Sequence, residues 1–286
     1  MLNIKTIIKN LIAGIFIGIS NVIPGVSGGT IACVFGSYEN MLSLPSFNIK
    51  KIKAEWQAIT FLYAGMALGV LAFSKLVNFV YANYPIYTAY FFVGIIFGSL
   101  FFLYDETKTK QDGAKAKLLK VALFACGFSL MVSLYVFKRL GFILPFNWDA
   151  SSGNLTFYLV LFAYCSIASA GMIIPGISGS FLLLLLGAYK VVIEAVASFN
   201  IKLLVVIGMG VLFGALSTAR LVKFLIERFR SFSYVFILGL TMGSIMHCFP
   251  IVCQPFNQRF ISAMMLLVGY VIVTIFTGRN IQGDKR

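Results

Sequence analysis

The sequence predicts an all-α polytopic membrane protein that consists of two repeats with inverted topology. The 286 residues are 60% hydrophobic and only 11% charged, with a mean hydropathy of +0.95, so there is too little polar surface for a soluble globule. The sequence of one half also recurs in the other half. Despite the formal net charge of +14, the basic residues form short clusters between apolar segments, which indicates membrane topology rather than nucleic-acid binding.

The internal repeat is the strongest single observation. Four segments recur in the same order, across 22–99 in one half and 173–244 in the other, and chance similarity would not keep that order. The matched pairs are "VIPGVSGGTIACVFGSYE" (22–39) with "IIPGISGSFLLLLLGAYK" (173–190), "SFNIK" (46–50) with "SFNIK" (198–202), "GMALGVLAFSKLV" (65–77) with "GVLFGALSTARLV" (210–222), and "FFVGIIFGS" (91–99) with "FILGLTMGS" (236–244). We interpret residues 1–140 and 141–286 as the two repeats of one membrane domain.

Each half is predicted to contain an apolar piece, a Pro-Gly interruption, a second apolar piece and three full-length spans. The expected positions are 5–22, 26–44, 56–81, 86–104 and 118–138, and then 155–173, 177–197, 203–226, 232–249 and 260–277. The first two pieces together cover about 40 residues, more than one helix needs to cross a hydrocarbon core of about 30 Å. They form a re-entrant, broken helical hairpin or two separate spans, and the sequence leaves this choice open.

Both arrangements give an odd number of crossings per half, so the second repeat enters the membrane upside down. The distribution of basic residues supports this topology, with both termini in the cytoplasm. On this assignment the outer segments hold only Lys138, Arg139, Lys202 and Arg259, with Lys190 nearby, whereas the other basic clusters are cytoplasmic.

The Pro-Gly interruptions predict an anion site. Inverted repeats with broken helices are typical of secondary transporters, whose sites lie near the bilayer midplane. After each interruption a new helix begins with free N–H groups and with the hydroxyls of Ser27 and Thr30 or of Ser178 and Ser180, which favours an anion. As the alternative, Pro-Gly makes only a turn, and Ser27 and Ser178 cap the next helix. Two such helix starts meeting in one place favour the site.

Charged residues within the predicted membrane spans form a second group of candidate functional residues. Lys75 and Arg220 occupy equivalent places in the repeat, and inversion would place them towards opposite leaflets, where each is expected to contact an anionic headgroup. Snorkelling to the membrane surface is the alternative. Glu39 is expected to be a coupling proton site, a partner for a cation or a charge at a helix end. Lys190 and Glu194, four residues apart, predict a local ion pair.

Other conspicuous residues are assigned to packing. Glycines with GxxxG spacing allow helices to approach closely in lipid, and they occur as Gly65/Gly69, Gly94/Gly98, Gly210/Gly214 and Gly239/Gly243. The five scattered cysteines predict neither a disulfide framework nor a metal site. The lone His247 is assigned a packing or interfacial role. We expect no catalytic residue, no metal and no cofactor.

The doubled motif also supports a family resemblance. "PGVSGGT" (24–30) with the later "PGISGS" (175–180), each followed by G-x-Y, resembles the bacterial membrane family that includes the PopT-type undecaprenyl-phosphate translocases. The resemblance covers nearly the whole chain. It implies a flippase of the bacterial cytoplasmic (inner) membrane that returns undecaprenyl phosphate, the lipid carrier of cell-wall synthesis, from the outer to the inner leaflet. The phosphate-binding residues that it implies are Pro24, Gly25, Ser27, Gly28, Gly29, Thr30, Pro175, Gly176, Ser178, Gly179 and Ser180.

The second copy departs from the first, because Ser180 and Phe181 replace Gly29 and Thr30. We therefore expect the two halves to bind the phosphate unequally. We expect transport to proceed by alternating access. The sequence does not reveal the coupling ion, the prenyl chain length or the oligomeric state.

Two other functions remain open. One is a secondary transporter of a small anion or an organic acid. The other is an undecaprenyl-pyrophosphate phosphatase, whose family has inverted repeats and a similar "PG-x-S-R-S" loop. Here Gly28 and Gly179 stand where that loop has arginine, and no glutamate-rich helix accompanies them. Because phosphoryl transfer needs charge stabilisation at the phosphate, the sequence favours a transporter over an enzyme.

Overall fold

The computed structural model describes residues 4–22, 27–109, 113–142, 154–249 and 256–281. All regular secondary structure in these ranges is α-helical, so the predicted all-α class is confirmed. The helices are α1 Ile4–Val22, α2 Gly28–Val34, α3 Tyr38–Ser43, α4 Ile49–Asn83, α5 Pro85–Glu106, α6 Ala114–Arg139, α7 Leu155–Ile173, α8 Gly179–Leu185, α9 Tyr189–Ala197, α10 Ile201–Cys248 and α11 Phe256–Ile281.

Several helices are suited to crossing a membrane. In the described ranges α5, α6, α7, α10 and α11 are long and apolar enough, and the bent pair α8 and α9 would add a sixth span. With 48 residues, α10 would be about 72 Å long, far more than a bilayer core requires. Phe229 has non-helical angles, φ −134° and ψ 48°, which divide α10 into α10a (201–228) and α10b (230–248). The chain is therefore a polytopic membrane protein.

Each predicted segment after a Pro-Gly interruption consists of two short helices, α2 with α3 and α8 with α9. The axes of α8 and α9 differ by 115°. The break in each pair contains a glycine with positive φ, 62° at Gly36 and 72° at Gly187. These two glycines are equivalent in the repeat, and only glycine adopts this conformation without steric cost.

Equivalent residues of the two halves share unusual backbone geometry. Ser27 has φ −96° and ψ 126°, and Ser178 has φ −98° and ψ 122°. Phe47 and Phe199, in the two "SFNIK" segments, both have positive φ, at 51° and 49°. A positive φ is uncommon for a bulky residue. The repeat in sequence is therefore also a repeat in local backbone structure.

The glycines of the first full-length span in each half pack against the first helix of the same half. A methyl group at Gly65 of α4 would overlap the carbonyl oxygen of Leu11 in α1. A methyl group at Gly214 of α10a would overlap the carbonyl oxygen of Ser166 in α7. These contacts confirm the predicted packing role of this pair of GxxxG motifs.

The glycines of the next span pack against the other half of the chain. Gly94 of α5 lies against the backbone of Leu266 in α11, and Gly239 of α10b lies against the backbone of Phe124 in α6. Each half therefore contributes its second full-length span to a close contact with the last span of the other half. This exchange joins the two repeats into one packed unit and holds the interrupted segments between them.

The two short segments differ in burial. All seven residues of α2 are buried, and the four from Ile31 to Val34 belong to the main apolar core with residues of α1, α3 and α5. Of the seven residues of α8, Gly179 alone is buried. The same motif is thus enclosed in the first half and partly open in the second.

Candidate functional site

The two copies of the motif contact each other directly. Thr30 Oγ1 accepts a hydrogen bond from the backbone N–H of Gly176 at 2.6 Å, and Ser27 Oγ donates to the carbonyl oxygen of Ile174 at 3.4 Å. The hydroxyl of Tyr38 donates to the carbonyl oxygen of Ile173 at 2.9 Å. We call these three hydrogen bonds the motif seam. They join the start of α2 and α3 to the Pro-Gly turn that follows α7.

Glycine is required on both sides of the motif seam. A methyl group at Gly29 would lie 2.9 Å from the carbonyl oxygen of Ile173 and 3.3 Å from the nitrogen of Pro175. Gly176 has a φ of +90°, and a methyl group there would lie 3.0 Å from the carbonyl oxygen of Leu240. Because these neighbours are backbone atoms, they cannot move aside as a side chain could. The glycines of the motif therefore permit the close approach of the two halves.

A cavity of about 180 Å³ lies beside the seam and is bordered by both copies of the motif. A single water needs only about 10–15 Å³ of such space, so the cavity has room for a phosphate group. We call it the motif cavity. Its polar lining consists of Asn21, Ser27, Ser169, Ser178 and Ser180, together with the backbone at Gly28 and Gly179. The helix starts of both halves therefore border one cavity, in which a few polar groups from both halves stand in a mainly apolar wall.

The serines at the two helix starts do not cap their own helices. Ser27 and Ser178 occupy the N-cap positions of α2 and α8, but neither side chain accepts a hydrogen bond from the first turn. Ser27 bonds across the seam, and the Ser178 hydroxyl lies 3.0 Å from that of Ser180. The capping alternative is thus wrong for both side chains. Since each helix has only seven residues, hydroxyls and individual amides are the relevant donors rather than a large helix dipole.

Asn21 is a cavity residue that the sequence analysis did not select. Gly28 lies so close to Asn21 that a methyl group would overlap its side-chain amide. In the other half a methyl group at Gly179 would lie 2.5 Å from Cγ of Met172, the residue equivalent to Asn21. Asn21 stands three residues before Pro24, and this isolated amide in an apolar run was the available signal.

Several predicted site residues lie elsewhere. Pro24 and Gly25 fall outside the described residues, as does the side chain of Lys75. Arg220 is exposed on α10a, where its guanidinium carbon lies 5.4 Å from the centroid of the Phe47 ring. It does not line the motif cavity. Four other motif residues lie at the motif seam and not in the wall of the motif cavity. They are Gly29, Thr30, Pro175 and Gly176.

Glu39 belongs to an ion-pair network. Its carboxylate lies 3.0 Å from the Lys51 ammonium and 2.9 Å from the guanidinium of Arg230, which also lies 2.9 Å from Glu106. The network joins α3, α4, α5 and the start of α10b. Glu39 is thus a partner for cations, as one of its three interpretations proposed, and its coupling role stays a prediction. The equivalent residue, Lys190, makes the predicted local pair with Glu194 at 3.6 Å.

A larger, almost wholly apolar groove of about 580 Å³ lies on the other side of the seam. Side chains of α6 and α10 form its walls, and Tyr38, Ile174 and Pro175 border it at the seam. We call it the apolar groove. Ser27 faces the motif cavity while Tyr38 faces the groove, so the motif seam separates the two spaces. Within the described ranges, no group of three His, Cys, Asp or Glu side chains is arranged to hold a metal ion.

Comparisons with known proteins agree with one another. The sequence model of the family described as "VCA0040-like: Undecaprenyl phosphate translocase-like" matches residues 17–265. The chain is 30% identical over 257 residues to a Vibrio cholerae protein named polyprenyl-phosphate transporter, with 85% of this chain and 78% of that protein covered. A Staphylococcus aureus protein of the same name is 27% identical over 285 residues, with 94% and 95% covered. No solved structure gives a significant match.

Proposed function

The chain belongs to the undecaprenyl phosphate translocase-like family, and from this premise we propose that it transports polyprenyl phosphate across the bacterial cytoplasmic membrane. In this proposal it returns the lipid, undecaprenyl phosphate, from the outer to the inner leaflet by alternating access and catalyses no chemical reaction. The observation that carries the proposal is the motif cavity, which both copies of the Pro-Gly motif border with hydroxyl and amide groups.

The motif cavity suits a phosphate headgroup. The hydroxyls of Ser178 and Ser180 bond to each other and can rotate to donate to an anion instead. Hydrogen bonds to an ionised acceptor are about twice as strong as neutral ones, and a low-dielectric surrounding strengthens them further. Apolar side chains such as Leu183, Ile207 and Val211 form the rest of the wall. In the proposal the phosphate is held by the few polar groups and the isoprenoid chain stays in apolar surroundings.

We further propose that the two repeats, 1–140 and 141–286, insert with inverted topology and that the interrupted segments are re-entrant hairpins. The 115° bend between α8 and α9 supports a hairpin, because a single straight span would need nearly collinear helices. The exchange of close contacts, α5 with α11 and α10b with α6, supports two halves related by a pseudo-two-fold axis. The positive-inside distribution supports cytoplasmic termini.

Alternating access in this proposal depends on the motif seam. The seam lies between the motif cavity and the apolar groove, so breaking its three hydrogen bonds would join the two spaces. Lys75 and Arg220 would meet the headgroup at opposite leaflets. Arg220 lies on the same stretch of α10a as the groove residues Leu221 and Val222. Protonation of Glu39 would release Arg230 and couple this network to the movement.

The test is lipid movement in proteoliposomes that contain a fluorescent polyprenyl phosphate, followed with an impermeant reductant that bleaches the outer leaflet. The double variant Ser178→Ala with Ser180→Ala should slow transport at least about tenfold, because both hydroxyl donors are lost. Ser198→Ala is the matched control, since that exposed hydroxyl bonds only to the Glu194 carbonyl oxygen of its own helix. Transport by the double variant at the wild-type rate would refute the site.

The same vesicles distinguish the other class of transporter. Uptake of labelled inorganic phosphate or of an organic acid, with no movement of the lipid phosphate, would replace the proposal with small-anion transport. Release of inorganic phosphate from undecaprenyl pyrophosphate by the purified protein would instead indicate an enzyme. Lipid movement without either activity would support the proposal.

A further inference from the structure

A basic cluster lies at the ends of α6 and α10b, outside the motif cavity. It consists of Lys138, Arg139 and His247. Lys138 and His247 contact the ring of Phe181, and Arg139 contacts Tyr135. The Lys138 ammonium lies 5.9 Å from the Phe181 ring centroid, and the His247 ring lies 5.6 Å from it. Arg139 Nε donates to the Tyr135 hydroxyl at 3.0 Å, and the Tyr135 ring lies 5.6 Å from that of His247.

His247 differs from an ordinary packed aromatic residue. Both of its ring nitrogens are buried, and neither has a hydrogen-bond partner among the described residues. At least one ring nitrogen of a histidine always carries a proton, so a donor is buried here. Burying such a donor without an acceptor is unfavourable, and buried polar groups in proteins are nearly always satisfied. The side chain therefore points to an acceptor that is not supplied by its described neighbours.

Among the described residues, the charged side chains of this cluster are positive. In the described part of the chain, neither Lys138 nor Arg139 makes an ion pair with a carboxylate. The Lys138 ammonium is near enough to act electrostatically on His247 and Cys248. By contrast, Arg230 at the other end of α10b contacts both Glu39 and Glu106. The basic cluster thus carries uncompensated positive charge beside a buried hydrogen-bond donor.

The basic cluster also adjoins the motif cavity, and its histidine has no counterpart in the first half. Phe181, which contacts Lys138 and His247, directly follows the cavity residue Ser180. In the register of the repeat, Phe102 stands where the second half has His247. Phe102 is a partly buried apolar residue packed against the main core. A phenylalanine thus satisfies the packing requirement at the equivalent position of the first half. Packing alone therefore does not explain the histidine in the second half.

We propose that Lys138, Arg139 and His247 form a second binding site for a phosphate-type anion, which receives the headgroup of the lipid phosphate before it enters the motif cavity. This inference rests on the proposed function and deepens it. Lys138 and Arg139 supply the positive charge, and His247 supplies an N–H donor. Phe181 lies between this site and Ser180, so a headgroup passes from one site to the other along its ring.

The experiment measures binding of geranyl phosphate, a ten-carbon isoprenyl phosphate, to purified protein in detergent. The background is the Ser178→Ala and Ser180→Ala double variant, in which the motif cavity has lost its hydroxyl donors. Adding Lys138→Gln, or separately His247→Phe, should weaken the remaining binding by about tenfold, the typical loss for one charge-assisted contact. Lys138→Arg should retain binding because it keeps the charge and the donors.

Lys120→Gln is the matched control. Lys120 lies on the same helix and also sits over a phenylalanine ring, 6.0 Å from the centroid of Phe232, but at the opposite end of α6. It should leave binding unchanged. Unaltered affinity in both the Lys138→Gln and the His247→Phe proteins, or an equal loss in Lys120→Gln, would overturn the inference, because the cluster would then act only through packing or overall charge.

Inorganic phosphate is the second probe and separates the two sources of the anion. Competition between inorganic phosphate and geranyl phosphate, abolished by Lys138→Gln, supports a site that recognises the phosphate itself. Binding of inorganic phosphate alone, with no affinity for geranyl phosphate, would overturn capture of the lipid headgroup.

In the otherwise wild-type protein, Lys138→Gln should raise the KM for lipid movement more than it lowers the maximal rate. Failure of the motif-cavity serines to affect transport would count against the proposed function and not against this cluster.

Discussion

The two copies of the Pro-Gly motif have the same backbone but different surroundings. Ser27 and Ser178 differ by only a few degrees in φ and ψ, and both breaks use a glycine with positive φ. Yet α2 is buried throughout, whereas in α8 Gly179 alone is buried. Thr30 accepts a hydrogen bond across the seam, while its equivalent, Phe181, faces Lys138 and His247.

The two copies therefore share a backbone frame, while their side chains make different contacts. In the first copy Thr30 is only 1% exposed, and its hydroxyl forms a hydrogen bond that joins the two halves. In the second copy the hydroxyls of Ser178 and Ser180 remain available at the cavity. The first copy is thus mainly an anchor, whereas the second leaves two hydroxyls at the cavity wall. Unequal binding of the phosphate by the two halves stays a prediction.

The largest expected difference between the copies concerns Gly179 and Gly28. A methyl group at Gly179 would lie 2.6 Å from the backbone carbonyl oxygen of Ala168, which cannot move aside. Gly179→Ala should therefore destabilise the protein by about 3 kcal/mol, as overpacking typically does. At Gly28 the obstacle is the end of the Asn21 side chain, which can rotate. Gly28→Ala should stay within about 1 kcal/mol of wild type, helped by the helix propensity of alanine.

The midpoint of thermal unfolding in detergent compares the two variants directly. Gly179→Ala should unfold at a clearly lower temperature, and Gly28→Ala close to the wild-type temperature. Asn21→Ala added to Gly28→Ala removes the nearest obstacle and serves as the control. A larger loss from Gly28→Ala than from Gly179→Ala would show that the first copy is the more tightly packed at this position.

The second prediction tests the anchor. Thr30→Val keeps the shape of the side chain but removes the acceptor for the Gly176 N–H, leaving a buried donor unpaired. The expected cost is about 2 kcal/mol, the usual range for a buried group that loses its partner. Thr30→Ser keeps the acceptor and should be much milder. The measurement is again thermal unfolding, combined with amide hydrogen exchange at Gly176, which should accelerate only in Thr30→Val. Unchanged exchange would mean that the seam does not depend on this bond.

The sequence predicted the elements well because their signals are local. Apolar length set the spans to within four residues of α1, α5, α6, α7 and α11, whereas α4 begins at Ile49 rather than at 56. The GxxxG glycines marked close helix contacts, but the breaks at Gly36 and Gly187 were not predicted. The division of α10 was predicted as two spans, 203–226 and 232–249, and Phe229 lies in the gap between them. The meeting of the two Pro-Gly motifs was predicted from their duplication.

The details of the site were less predictable because they depend on helix faces and distant partners. Arg220 was paired with Lys75 by register, but register does not say which way a side chain points. Thr218 and Leu221 line the apolar groove, while Arg220 between them points to Phe47, which lies more than 170 residues away in sequence. Tyr38 was noted only as a repeated residue, and nothing local indicated that its hydroxyl would reach Ile173.

The smallest predicted effect contrasts the ion-pair network of Glu39 with the ion pair that its equivalent in the other half, Lys190, makes with Glu194. Glu39 has two cationic partners on different helices, Lys51 and Arg230, and its side chain is 38% exposed. Glu194 pairs only with Lys190 on its own helix, and both side chains are mostly exposed, at 64% and 85%. Networks that bridge elements contribute more than exposed local pairs. Glu39→Gln should therefore cost about 1 kcal/mol and Glu194→Gln less than about 0.5 kcal/mol.

The dependence on salt concentration separates the effects of Glu39→Gln and Glu194→Gln further. The effect of Glu39→Gln on the unfolding midpoint should persist partly at 1 M salt, because the network is half-buried, whereas any effect of Glu194→Gln should vanish. If both variants behaved alike, the network would be only a surface pair and would not link α3 to α10b. In that case movement of α3 and movement of α10b would be independent, and the coupling proposed through Arg230 would lose its physical basis.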